Sequence, residues 1–245
     1  MPVRFEGQTA LVTGAGRGIG RSIARRLAEE GAKVGLVART EAELQETARQ
    51  IAETGSRSLA LPADITEAGA AERCVERTES ELGPVDVLVN NAGVFIYRPF
   101  LSLAPEDWDR VIATNLTGAA SFCRAVLPGM ARRRRGRIVN VASIHGMRGD
   151  ANVAAQSAAK FGLIGLTQSL AREFRQHNIA VNAVCPGTVE NRKDEGAAAH
   201  AEPLAEKLWP RDVAHAVLFL ASEDAAAITG AALEVFGGTH LVIAP

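Results

Sequence analysis

The sequence predicts an α/β protein: a single doubly wound domain over residues 1–245, with a seven-stranded parallel sheet flanked by helices. Three observations carry that expectation. Short apolar runs alternate along the whole chain with longer stretches of helical spacing, the order that winds a parallel sheet. Four glycines, Gly14, Gly16, Gly18 and Gly20, follow the first apolar run within seven residues. The chain has 245 residues, 47% of them hydrophobic, which is enough for one full core.

Ala10 to Val12 reads as a buried strand, and Ser22 to Glu30 as a helix with Ile23 and Leu27 on one face. Between them runs Thr13-Gly14-Ala15-Gly16-Arg17-Gly18-Ile19-Gly20. Strand, glycine turn, helix is an order that cradles a phosphate. The glycines let the backbone turn tightly and come close, and the free N–H groups of the helix start face the oxygens. Lys33 to Ala38 is a second strand, ending in Arg39. In a dinucleotide fold an acidic residue about 20 positions beyond the glycines binds the ribose 2′-hydroxyl of NAD. No Asp or Glu stands between Gly31 and Thr40, whereas Arg39 and Arg17 offer guanidinium groups suited to a 2′-phosphate. The expected cofactor is NADP(H).

Glu41 to Thr54 reads as an amphipathic helix stopped by Gly55. Ser58 to Leu61 is a short strand. Asp64 then stands as a candidate N-cap for a helix from Glu67 to Leu82. Val85 to Val89 is a continuous apolar strand, buried on both faces. It ends in Asn90-Asn91-Ala92-Gly93, small residues that let a ligand lie against the backbone. Ser102 to Met130 reads as one helix with Asn115, a poor helix-interior residue, in its middle. The arginines 132 to 135, with Arg137, read as a solvated helix end rather than a nucleic-acid patch.

Ile138 to Ala142 is the next strand, ending at Ser143. The helix from about Asn152 to His177 is apolar almost all round between Ala158 and Leu166, so it is expected to pack on more than one side, with Gly162 and Gly165 permitting close approach. Ala180 to Cys185 is a strand leading to Pro186-Gly187-Thr188. Residues 191–210 are polar, Ala-rich and weakly periodic, and are expected to form a substrate lid. Arg211 to Ala221 reads as a helix and Leu233 to Phe236 as the last strand.

A formal net charge of −1 gives no global pull toward nucleic acid or an anionic membrane. No apolar run of about 18 residues suggests a membrane span, and Met1 to Gln8 has no apolar core of a signal peptide. Cys74, Cys123 and Cys185 are odd in number and far apart, with no C-x-x-C. That usage fits a reducing cytoplasm and no metal site.

The glycine turn in the form Thr-Gly-x-x-x-Gly-x-Gly, the Asn-Asn-Ala-Gly after the fourth strand, Asn115, Ser143, Lys160 and Pro186-Gly187 occur in an order that resembles the short-chain dehydrogenase/reductase family. The resemblance covers essentially the whole chain. It implies a Rossmann-type fold, hydride exchange between NADP(H) and a small-molecule substrate, and a homo-oligomer, tetramer or dimer. Gly14, Gly18, Ile19 and Gly20 would then hold the pyrophosphate, with Arg17 and Arg39 at the 2′-phosphate. Asp64 and Ile65 would lie by the adenine, and Asn91, Ala92 and Gly93 under the cofactor. Pro186, Gly187 and Thr188 would face the nicotinamide. Lys160 would bind the nicotinamide ribose and Ser143 the substrate oxygen. Asn115 would open its helix, its main chain holding a water of the proton relay.

The family places a Tyr four residues before that Lys, to pass a proton to or from the substrate oxygen. Here the position is Gln156. An amide has no phenolic proton to give, and general acid–base catalysis is worth about 10²- to 10⁴-fold. His145, two residues past Ser143, is the first candidate for a replacement acid, because its pKa suits neutral pH. Tyr97, the only Tyr, and Asp150 are weaker candidates. Three readings follow. The first is an NADP(H) oxidoreductase of a small carbonyl, alcohol or imine, with non-standard proton supply. The second is an isomerase or cyclase on the same scaffold. The third is a catalytically silent NADP(H)-binding protein. The first is preferred, since Ser143, Lys160 and Asn115 have no obvious use in a pure binder.

Overall fold

The computed structural model describes residues 3–190 and 208–237. Segment 191–207, which carries most of the expected lid, lies outside the described residues. Seven strands form one sheet: β1 Thr9–Thr13, β2 Lys33–Ala38, β3 Ser58–Pro62, β4 Val85–Asn90, β5 Gly136–Val141, β6 Ile179–Pro186 and β7 Ala232–Val235. Their order is β3-β2-β1-β4-β5-β6-β7, and every neighbouring pair is parallel. The chain reverses direction across the sheet between β1 and β4. Such a switch point opens a crevice at the carboxyl ends of the strands.

Alternation along the strands divides the core in two. Ala10, Val12, Val87, Val89 and Val139 pack with Ile23 and Leu27 of α1 (Gly18–Glu29) and with Val213 and Val217 of α7 (Pro210–Ala221). Leu11, Leu88, Ile138 and Val181 face the other way, onto Cys74 of α3 (Ala70–Leu82) and Phe122, Val126 and Met130 of α5 (Gly118–Arg133). Both faces are covered, which is why these strands read as continuous apolar runs. The helix expected over Glu41 to Thr54 is α2, Glu41–Ala52.

Several local expectations need correction. The third helix begins at Ala70, behind Gly69 at φ +76°. Asp64 is not its N-cap; it closes its own turn, Oδ1 accepting from Thr66 N at 2.9 Å and from Thr66 Oγ1 at 2.7 Å. The single helix over Ser102 to Met130 is three pieces: α4 Pro105–Ile112, a π-helical turn Ala113–Thr117, and α5. Asn115, in that turn, is tied across to Val94, and the widened turn accommodates the tie. The arginine run is not uniformly solvated. Arg133 donates to Val85 O at 2.6 Å, and Arg137 is buried in β5, where it donates to Glu223 Oε2 at 3.1 Å. The sixth helix, α6, spans Ala154–Phe174. Asn152, at φ +66°, lies before it in the left-handed region, and residues 175–177 continue it only as a 3₁₀ turn.

Candidate active site

The glycine turn closes the carboxyl end of β1. Gly14 sits at φ +67°, and a Cβ there would meet Asn91 Nδ2 at 2.8 Å and Ala92 Cα at 2.9 Å. A Cβ on Gly20 would drive into the Gly14 carbonyl oxygen. Both positions therefore require glycine for space, and Gly14 for conformation as well. The carbonyls of the turn are held by protein. Thr47 Oγ1 donates to Ala15 O at 3.0 Å, and Arg21 Nη2 donates to Gly16 O. At the helix start no side chain caps α1, and no acidic residue lies in its first turn. The N–H groups of Gly18, Ile19 and Gly20 are thus left for an outside acceptor, and the helix dipole favours an anion there.

Arg17 and Arg39 are exposed beside this turn. Arg39 Nη1 lies 3.9 Å from Asp64 Oδ2, so two residues predicted for the adenosine end stand together. The Asp64 carboxyl is held below its ordinary pKa by the Thr66 N–H first, with Arg39 contributing. Ile65 is buried and would press against any Cβ on Gly118; its side chain belongs to the core. Asn91 locks the next wall: Nδ2 donates to Thr13 O at 3.0 Å, while Asn91 N and Ala92 N both donate to Thr13 Oγ1. A Cβ on Gly93 would meet Asn115 Oδ1 at 2.8 Å. Gly187 N donates to Val235 O at 2.9 Å, and Thr188 O accepts from Leu208 N at 2.9 Å. That fixes the Pro186-Gly187-Thr188 turn at the end of β6.

The other side of the crevice is built by β5, the turn after it and α6. Lys160 is buried and donates from Nζ to Val141 O at 2.7 Å. Burial, without a carboxylate partner, lowers its pKa to about 8. Two residues beyond Val141, Ser143 Oγ accepts from His145 N at 3.2 Å. Gln156 lies one helical turn before Lys160 and is buried. Asn115 Nδ2 donates to Gln156 Oε1 at 2.8 Å, and the same amide exchanges two bonds with Val94, at 2.8 and 2.9 Å. The structure thus joins Asn115 to Gln156 and sets Lys160 on the same helix face.

The remaining candidates are less engaged. The His145 ring stacks on Phe95 at 6.1 Å, and its buried Nδ1 has no partner among the described residues. Burial pushes its pKa below the ordinary value, with Asp150 opposing the shift in part. Tyr97 is exposed, and its hydroxyl accepts from Asn152 Nδ2 at 2.9 Å. Asp150 is a turn residue, Oδ1 accepting from Ala151 N. Sequence reasoning missed Val94, whose backbone fixes Asn115, and Val141, whose carbonyl holds Lys160. Neither contact depends on its side chain, so the sequence carries no signal for them.

A family model for short chain dehydrogenases matches residues 8–201. The chain belongs to the short-chain dehydrogenase family. It is 40% identical over 247 residues to the 3-oxoacyl-[acyl-carrier-protein] reductase FabG of Vibrio cholerae, covering 98% of this chain and 100% of that protein. It is 40% identical over 243 residues to nodulation protein G of Rhizobium meliloti, covering 96% of this chain and 98% of the relative. The solved 3-oxoacyl-[acyl-carrier protein] reductase of Brucella melitensis superposes with a TM-score of 0.87 at 31% identity, covering 97% of this chain and 92% of that one. This short-chain dehydrogenase is an oxidoreductase with the single doubly wound domain that the sequence predicts. Among the described residues no helix is long and apolar enough to cross a membrane.

Proposed function

We propose that this protein transfers hydride between NADP(H) and a small carbonyl, alcohol or imine substrate, with Gln156 standing where the family's proton-transferring Tyr is expected. One observation carries the reading. Lys160 is a buried cation with no carboxylate partner among the described residues, held by Val141 one turn from Gln156. Burying an ammonium is costly, and binding of a dinucleotide at the glycine turn does not require it. When bound, the cofactor would supply or accept the hydride. Gly18, Ile19 and Gly20 would hold its pyrophosphate, Arg17 and Arg39 its 2′-phosphate, and Lys160 its nicotinamide ribose. Ser143 would orient the substrate oxygen. The names of the relatives favour a 3-oxoacyl thioester as the first carbonyl to try.

The proton has to come from a group other than Gln156. The exposed Tyr97 hydroxyl accepts from Asn152 and keeps its own proton to donate, and Asp150 is tied into its turn. Burial lowers the His145 pKa and so favours its neutral ring; Lys160, solvent and the Tyr97 hydroxyl are the other donors. A single-turnover assay with bound NADPH, run over 3-oxoacyl thioesters, simple ketones and cyclic imines, tests the reading. Oxidation of NADPH by at least one class supports it. Tight NADPH binding with no turnover of any of them moves the protein to the silent-binder reading.

A homo-oligomer is part of the same proposal. Phe161 is 46% exposed on α6, and a Cβ on Gly165 would meet nothing within 4 Å among the described residues. Gly162, by contrast, is filled by Leu116. The outer face of α6 is therefore open to a second copy, in a dimer or tetramer. A monodisperse monomer in light scattering at micromolar concentration would contradict this.

A further inference from the structure

The hydrogen bonds around Gln156 fix more than its position. Val94 presents both an N–H and a C=O to Asn115, so the Asn115 carboxamide has one possible orientation: Oδ1 on Val94 N and Nδ2 on Val94 O. The second proton of Nδ2 then faces Gln156, which must answer with its oxygen. Gln156 Nε2 is left over. It is not one of the buried side-chain atoms without a partner, which are Asn90 Oδ1, Arg137 Nε, His145 Nδ1 and Ser157 Oγ among the described residues. It therefore keeps some accessible surface beside the bonded oxygen, on a residue that is 7% exposed. Ser143 is arranged in the same sense. Its Oγ already accepts from His145 N, which leaves its O–H to donate. Lys160 adds a third donor with no acceptor function.

We propose that Asn115 is a positioning residue that locks Gln156 as a fixed neutral donor, so that Nε2 and the Ser143 hydroxyl take a carbonyl or carboxylate oxygen of the ligand. This rests on the proposed reading of Gln156 at the proton-donor position and narrows it. A ketone oxygen satisfies both donors. An alcohol brings an O–H that only Ser143 Oγ could accept, through the lone pair that His145 N leaves, at the expense of the Ser143 donor contact. A cationic iminium meets two donors and Lys160. Ketones and carboxylates are bound in preference to both.

The test uses the full chain saturated with NADP⁺ and the thioester S-acetoacetyl-N-acetylcysteamine, both oxidised, so that no turnover interferes. Native protein should bind the ketone with little dependence on pH between 5 and 7, where Lys160 stays charged. Gln156→Glu keeps the oxygen that faces Asn115 but turns the donor into a carboxylate. Its affinity should fall on the order of tenfold or more at pH 8, and return as the carboxyl protonates at lower pH. Equal affinity of Gln156→Glu and native protein at pH 8 would overturn the proposal. Native protein that binds NADP⁺ but not the thioester would instead overturn the functional reading. A ligand-free arm then decides the orientation by itself. In ¹⁵N-labelled Asn115→Asp, the new carboxylate faces Gln156, so the carboxamide should turn and its Nε2 protons should move downfield. An unmoved Gln156 side-chain resonance in a folded Asn115→Asp protein would also overturn the proposal.

Discussion

The two walls of the crevice are built on different principles. The wall of β1, the glycine turn and α1 depends on the backbone: glycines where a Cβ has no room, carbonyls held by Thr47 and Arg21, and uncapped N–H groups at a helix start. The wall of β5 and α6 depends on side chains: Ser143, Gln156 and Lys160, each fixed by one or two bonds. A backbone site tolerates no substitution at its tight points. A side-chain site can exchange one group and keep its shape. On the proposed reading, that difference lets a chain keep the whole cofactor cradle while changing its proton chemistry at a single residue.

The sharpest break of this comparison is Gly20→Val. The added side chain would strike the Gly14 carbonyl, which is backbone and cannot yield. Overpacking costs about 1–3 kcal/mol or more, and NADPH binding should be lost outright; calorimetry together with a denaturant titration reads both. Retained NADPH affinity would mean that the cradle is not where the geometry puts it.

Arg39→Asp comes next and acts at the exposed rim. Charge-assisted hydrogen bonds are worth about 1.5–3 kcal/mol, so the preference for NADPH over NADH should shrink on the order of 10- to 100-fold. Tighter binding of NADH than NADPH by the native protein would contradict the 2′-phosphate contact.

The smallest effect belongs to the buried lysine. In the folded chain the Lys160 amine has a pKa of about 8, against an ordinary 10.5. Between those values the unfolded chain holds a proton that the folded chain does not, so this group makes the fold more stable as pH rises from about 8 to 10.5, and contributes no slope below 8. Buried Cys185 and Cys123, raised to about 11 and about 12 from 9, act in the opposite sense at high pH. Lys160's share is therefore read as the difference between native protein and Lys160→Met across that window. No difference would mean that Lys160 is not buried as a free amine.

Legibility follows the same division. The strand Lys33 to Ala38 and the glycine turn were readable, because apolar runs and glycines are local signals. Asn115 was readable as a helix defect, since an amide there conflicts with propensity. Its bond to Gln156 was not, because it joins residues 41 apart through the backbone of Val94. Arg137 looked like the end of a charge run and is a buried strand residue, because its partner, Glu223, is 86 positions away. Asp64 looked like an N-cap, but the choice of its own Thr66 as partner depends on where the following helix starts.

The central claim is that the cofactor wall is complete and that only the proton-transferring group has been exchanged. The most direct measurement is single-turnover reduction of a 3-oxoacyl thioester by bound NADPH, in native protein and in Gln156→Tyr, with the NADPH dissociation constant measured in both. The account predicts an unchanged dissociation constant and a rate that rises on the order of 10²-fold or more, the worth of one general acid. An unchanged rate at unchanged NADPH affinity would contradict it, and would place the defect in the pocket beyond Gln156.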